Sequence, residues 1–108
     1  MHEVKAFIRP EVLDRVVRQL HAIQGLPGLT VSHVRGHGRR QSGAADVEFG
    51  EVQMVKLEIV VGDELLVQVL DTIRQVAASG RSGDGKIFVL PVESALRIRS
   101  GEVGSSAL

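Results

Sequence analysis

Gly80-Arg81-Ser82-Gly83-Asp84-Gly85-Lys86 runs directly into the apolar stretch Ile87-Phe88-Val89-Leu90, setting three glycines and a lysine at the mouth of a strand. Glycine admits the positive φ values that turn successive N–H groups inward, and an adjacent ammonium supplies the countercharge, so the segment has the makings of a phosphate cradle. Downstream, Arg97 and Arg99 flank Ile98. On an extended chain both guanidinium groups leave the same side and converge on one ligand. A Walker A loop is excluded, because Ile87 stands where a metal-binding Ser or Thr is needed and a strand, not a helix, follows the lysine. A plain glycine-rich turn between helix and strand is the alternative, but it leaves the arginine pair unused. The chemistry expected is therefore anion binding, with polyphosphate the natural ligand and no hydrolytic machinery.

The elements that must position this loop are legible as an internal repeat at an offset of about 53 residues. Val12, Leu13, Val16, Val17, Leu20 and Ile23 recur as Leu65, Leu66, Val69, Leu70, Ile73 and Val76, each set forming one stripe of an amphipathic helix. Ahead of them, Val4, Ala6 and Ile8 alternate as Leu57, Ile59 and Val61 do, although Val60 interrupts the alternation and suggests a strand buried on both faces. Pro10 suits a first helical position, Asp63 is expected to cap the second helix, and Gly25 and Gly80 end the two helices. Leu29–Gly38 and Lys86–Val92 read as further strands, giving βαββαβ. This order predicts the α+β, ferredoxin-like sandwich, with two helices on one face of a four-stranded antiparallel sheet. The other face then carries Lys5, Phe7, Ser32 and Val34, half apolar and suited to self-association. Residues 97–108 fall outside the unit and are expected to form a short strand or hook. Arg39–Glu51 reads as an unusually long hairpin loop, mobile at Gly43-Ala44-Ala45 and offering Phe49 to a partner.

Length fits a single domain over 1–108. With 13 Lys and Arg against 13 Asp and Glu, and neither a basic run nor an aromatic platform, neither nucleic acid nor an anionic membrane is the expected partner. No cysteine is present, so disulfides are excluded, and no leader or bilayer-length apolar stretch is apparent, which makes the cytoplasm the expected location.

Lys86-Ile87-Phe88-Val89 after Gly83-Asp84-Gly85, then Val92-Glu93 and Arg97-Ile98-Arg99-Ser100-Gly101-Glu102, closely resembles the C-terminal signature of the PII signal-transduction family. The likeness extends through Pro10, Leu13-Asp14, Gly28-Leu29-Thr30-Val31, Gly36-His37-Gly38-Arg39 and Val55–Val61. It implies a homotrimer that binds ATP or ADP in clefts between subunits, as regulatory ligands and not as tightly bound cofactors, and that grips a membrane transporter or enzyme through a long T-loop. By the same resemblance, residues 79–86, with Gly83, Asp84, Gly85 and Lys86, look like the phosphate-binding B-loop, and residues 39–51 like the T-loop. Arg39 at the T-loop base is a second phosphate contact, and Arg97 and Arg99 reach across from the adjacent subunit. Gly28, Leu29, Thr30, Glu58 and Val60 line the adenine side, with Gly38 and Phe88 completing the nucleotide set.

Departures from the family pattern are informative. Arg40 stands where members that sense 2-oxoglutarate carry a metal-assisting glutamine, and a guanidinium has no lone pair for magnesium. The chain has no tyrosine, which excludes tyrosine uridylylation. Met54 replaces the lysine near the loop exit, and the loop is shorter. These features resemble a divergent PII-like branch linked to heavy-metal efflux transporters, while other short-loop relatives serve bicarbonate uptake. Arg40 is the expected coupling point between ligand and loop, and it suits either phosphate or bicarbonate.

His2, His21, His33 and His37 raise direct metal binding as an alternative. Four residues of strand separate His33 from His37 by roughly 13 Å, too far for one ion, and no second histidine lies one turn from His21. No metal ligand is assigned. There is no cysteine nucleophile or serine elbow, and Asp63-Glu64 is explained by a helix start, so an enzyme is not expected. Three classes of function stay open: a nucleotide-responsive regulator, a divalent-metal-binding tolerance-type protein, and a weak ATPase.

Overall fold

A computed structural model describes the backbone of residues 1–42 and 46–108 and the side chains outside residues 39–49. The apolar alternation of His2–Ile8 makes the first strand, β1, which pairs antiparallel with both β3 (Asp46–Val61) and β4 (Gly85–Pro91), while β2 (Leu29–Ser42) adds to the outer edge of β3. The strand order is β2-β3-β1-β4. Helices α1 (Leu13–His21, entered through a 3-10 turn at Pro10–Val12) and α2 (Asp63–Ala77) lie together on one face. Val4, Ala6 and Ile8 from β1 and Val55, Leu57, Ile59 and Val61 from β3 bury against Val12, Val16, Leu20 and Ile23 and against Val69, Ile73 and Ala77. This is the ferredoxin-like fold, and the repeated apolar stripes are its core.

Several local expectations are revised. Asp63 is not the cap of α2 but its first residue. Gly62 holds the cap position, and the Asp63 carboxylate accepts from the Met1 ammonium at 3.3 Å and lies 2.8 Å from His2 Nδ1. These contacts hold its pKa down, chiefly through the hydrogen bond from the terminal ammonium. Val60 is only half-buried, because the second face of β3 is open in a single chain. The hairpin connection is also shorter than expected: Arg39 pairs with Phe49, Arg40 with Glu48 and Ser42 with Asp46, so β2 and β3 continue as a two-stranded ribbon through much of 39–51. A backbone ladder needs no apolar alternation to form, which is why the polar run Gly36–Ser42 hid it. The mobility expected of Gly43-Ala44-Ala45 and the docking role of Phe49 lie outside the described residues and side chains.

The open face presents Phe7, Ser32, Val34, Lys56, Glu58, Phe88 and Leu90. Phe7 and Phe88 meet edge to face, ring centroids 6.2 Å apart, and Phe88 is still 49% exposed. Past β4, the chain closes a small hook through a Leu96–Val103 bridge and a 3-10 turn at Gly104–Ala107.

Candidate functional site: a glycine loop and a groove on opposite edges of one sheet

After α2 the chain reverses through Gly80 (φ 79°), Gly83 (φ 90°) and Gly85 (φ 109°) before entering β4. Gly85 is forced: a Cβ there would sit 1.7 Å from the Phe7 carbonyl oxygen. Asp84 organises the turn. Its carboxylate accepts from the Ser79 hydroxyl, from the Ser79 N–H at 2.7 Å, from the Gly80 N–H at 3.0 Å and from Arg9 Nε at 3.2 Å. The Ser79 hydroxyl first, then the Ser79 N–H, Arg9 and Gly80 hold its pKa down to about 2 against the counter-effect of burial. Asp84 is thus anionic and engaged within the chain, where it shapes the cradle. Arg9, whose guanidinium also donates to the Ser82 carbonyl, is the residue the sequence reading missed. Register would have revealed it, since Ile8 pairs with Gly85 and so brings Arg9 opposite Asp84.

Lys86 pairs across β4–β1 with Phe7 and alternates with the half-buried Ile87, which directs its exposed side chain to the open face. Among the described residues, no ion pair engages Lys86 or Arg99. Phe88 follows on the same face.

At the opposite edge, Pro27, Gly28, Thr30, Glu58 and Val60, with Glu3 and Leu108, line a groove of about 480 Å³. Four of the five residues expected on the adenine side therefore come together. Leu29 does not join them: its partner across the ladder is the buried Ile59, and its side chain packs on the core, so only its backbone is available to a ligand. Glu58 is held below the usual carboxylate range, first by a hydrogen bond with Glu3 and then by Lys56, whose Nζ lies 3.3 Å away.

Arg97 and Arg99 do not lie on an extended chain. The Arg97 N–H donates to the Glu102 carbonyl at 2.9 Å and the Gly101 N–H to the Arg97 carbonyl at 2.8 Å, closing a turn in which Gly101 takes φ 75°. Arg97 then donates to Glu102 Oε1 at 3.3 Å and to the Leu108 carbonyl at 2.9 Å, which folds residues 103–108 back toward the groove, while Arg99 stays exposed. Gly38, Arg39 and Arg40 sit on the ribbon opposite Gly50, Phe49 and Glu48. Counting from Ser32, which lies level with Phe7 and Lys86 through Lys56, Gly38 is about 20 Å along β2. Among the described side chains, the glycine loop and the groove do not share one pocket. The loop leads into β4, whereas the groove spreads over β2, β3 and β1: Thr30 lies three strand spacings, roughly 14 Å, from β4, and Glu58 and Val60 lie two.

A ferredoxin-like sandwich with a glycine loop leading into β4, a groove across β2, β3 and β1 and a long ribbon beyond them is the class of protein the fold defines. Its lineage is specific: the chain belongs to the PII family, since the family model described as nitrogen regulatory protein P-II matches residues 1–102. It is 44% identical to a nitrogen regulatory protein P-II of Bradyrhizobium diazoefficiens and 41% identical to that of Azospirillum brasilense, with 100% of both chains covered in each case. Among solved structures, B. subtilis GlnK superposes with a TM-score of 0.87 at 33% identity, covering 99% of this chain and 97% of that one. A B. subtilis GlnK–ATP complex superposes with a TM-score of 0.89 at 36% identity, covering 99% and 94%. PII proteins are signal-transduction regulators, and the chain is a regulator of this family, not an enzyme. None of its described helices is long and apolar enough to cross a membrane.

Proposed function

We propose that the protein is a PII-type regulator that assembles as a homotrimer, binds ATP or ADP in clefts between protomers, and passes the identity of the bound nucleotide to a transporter or enzyme through residues 39–51. The observation that carries this reading is the division of the site. Gly83, Gly85 and Lys86 stand at the start of β4, whereas Thr30, Glu58 and Val60 lie two to three strands away on β2 and β3, and setting the β2 side of one copy against the β4 edge of the next would bring both halves onto one nucleotide. The open face between them, with the exposed Phe88 and Leu90, gives self-association its apolar driving force. The B. subtilis GlnK–ATP complex supports an adenine nucleotide as the ligand.

In this arrangement the glycine loop and Lys86 hold phosphate, the groove holds the base, and Arg97 and Arg99 close over the phosphates from the neighbour. Arg97 must first exchange its contacts with Glu102 and Leu108 for the ligand. Arg39 and Arg40, at the root of the segment, couple ligand to loop. A nucleotide biases the loop only by contacting its two states differently, which makes the γ-phosphate the discriminating group. Arg40 offers magnesium no lone pair, which argues against magnesium-assisted sensing of 2-oxoglutarate. Light scattering of the purified chain together with calorimetry against ATP, ADP and AMP tests the reading. Three times the chain mass and saturable ATP binding are expected, and a monomer, or a trimer blind to adenine nucleotides, overturns it.

A further inference from the structure

On the helical side, behind the glycine loop, a groove of about 690 Å³ runs between α1 and the C-terminal end of α2. Arg9, Arg15, Arg18 and Arg81 face it, against the single carboxylate of Glu11. The chain as a whole is neutral, so this is charge segregation and not general basicity. Arg9 is committed to Asp84. The other three are not neutralised: Arg18 Nε donates to the Asp14 carbonyl at 3.3 Å, Arg81 Nε to the Ser79 hydroxyl at 3.3 Å, and among the described residues none of the three has a carboxylate within ion-pair distance. Helix stability accounts for Arg18 alone, which lies in the last turn of α1 where the dipole favours a cation. Arg15 lies in the first turn of α1, at the positive end of the helix dipole, where a cation is disfavoured.

We propose that this groove is a docking site for an acidic, apolar-bearing peptide segment of a partner protein. A small inorganic anion would leave most of a groove of this volume unfilled, and the lining also carries the buried Val12 and Ala77 and the half-buried Val76. Gln19 and Gln75 add amide donors and acceptors suited to a peptide backbone. A lining that combines aliphatic, amide and guanidinium groups matches a short segment that alternates carboxylates with aliphatic side chains. Arg9, Ser79 and Arg81 belong both to the trough and to the glycine loop or its staples, so a docked segment touches the back of the nucleotide cradle without entering it.

The test is fluorescence anisotropy of a labelled hexapeptide of alternating glutamate and leucine with the full chain, nucleotide absent. Binding should weaken as salt rises and fall about tenfold or more in Arg15→Glu/Arg18→Glu, whose two sites are exposed and whose fold is checked by thermal melting. It should be unchanged in Lys86→Ala, which separates the trough from the phosphate loop. Absence of binding at low salt, equal affinity in the double variant, loss in Lys86→Ala, or full displacement by pyrophosphate would each overturn the proposal, the last by revealing a small-anion site.

Discussion

Gly85→Ala is the sharpest perturbation of the glycine loop, and Gly80→Ala is its internal control. Both residues adopt positive φ, but the surroundings differ: a Cβ on Gly80 meets nothing within 4 Å, whereas one on Gly85 would lie 1.7 Å from the Phe7 carbonyl oxygen. At Gly80 only the backbone preference is lost, about 1 kcal/mol. At Gly85 the left-handed strain of roughly 1–3 kcal/mol is joined by a clash with backbone that no rotamer relieves, so the start of β4 must leave β1. Losing one or two ladder hydrogen bonds around the Ile8–Gly85 pair adds about 1 kcal/mol each. A total of about 3 kcal/mol corresponds to a fall in Tm of roughly 15 °C, against roughly 5 °C for Gly80→Ala. Thermal unfolding of both variants at one fixed protomer concentration, which holds assembly constant, measures the difference. If Gly85→Ala melts within a few degrees of Gly80→Ala, the close approach of loop to strand that defines the cradle is wrong.

Lys86→Ala should weaken ATP binding by more than about tenfold in calorimetry while light scattering shows the same assembly, because an exposed, charge-assisted contact is removed without touching the core. Arg99→Ala should lower affinity alone, whereas Arg97→Ala should also speed amide exchange at Gly101 and Glu102, since it releases the contacts to Glu102 and Leu108. For Asp84 the folded pKa is about 2, depressed from 3.8. Its contribution to loop stability is therefore complete above the higher value and fades as pH falls through the lower one. Protection of the Ser79 and Gly80 amides should persist at pH 5 and drop between pH 4 and 2, and Asp84→Asn should remove that drop.

What the sequence made legible follows from the physics of each feature. Core positions declare themselves because burial on one face imposes a period of two on β1 and β3 and of 3.6 on the helices, so Val4, Ala6, Ile8 and their counterparts Leu57, Ile59 and Val61 were readable directly. The glycine loop was readable because positive φ selects glycine. Arg9 was hidden because its partner Asp84 is 75 residues away, and the true surroundings of Asp63 were hidden because they come from the chain's first two residues. The turn at Arg97–Glu102 carried its own signal in Ser100-Gly101, which the alternation of Arg97, Ile98 and Arg99 masked.

The groove is the most instructive case, because Gly28, Thr30, Glu58 and Val60 become neighbours only when the register sets Thr30 opposite Glu58. Strand order then keeps Glu58 and Val60 two strands, and Thr30 three strands, from Lys86 on β4. Resemblance grouped all of these residues around one ligand, but a single chain holds them on two edges. A cleft built between copies, as proposed above, would reconcile the grouping with the separation. A linked-variant experiment decides the matter: Lys86→Ala and Thr30→Arg chains, each impaired alone, should recover close to one wild-type cleft per trimer of the right mixed composition when co-assembled. In such a trimer, one interface pairs an intact loop with an intact groove. If the co-assembled mixture binds no better than its separate components, both halves act within one protomer and the shared-cleft architecture fails.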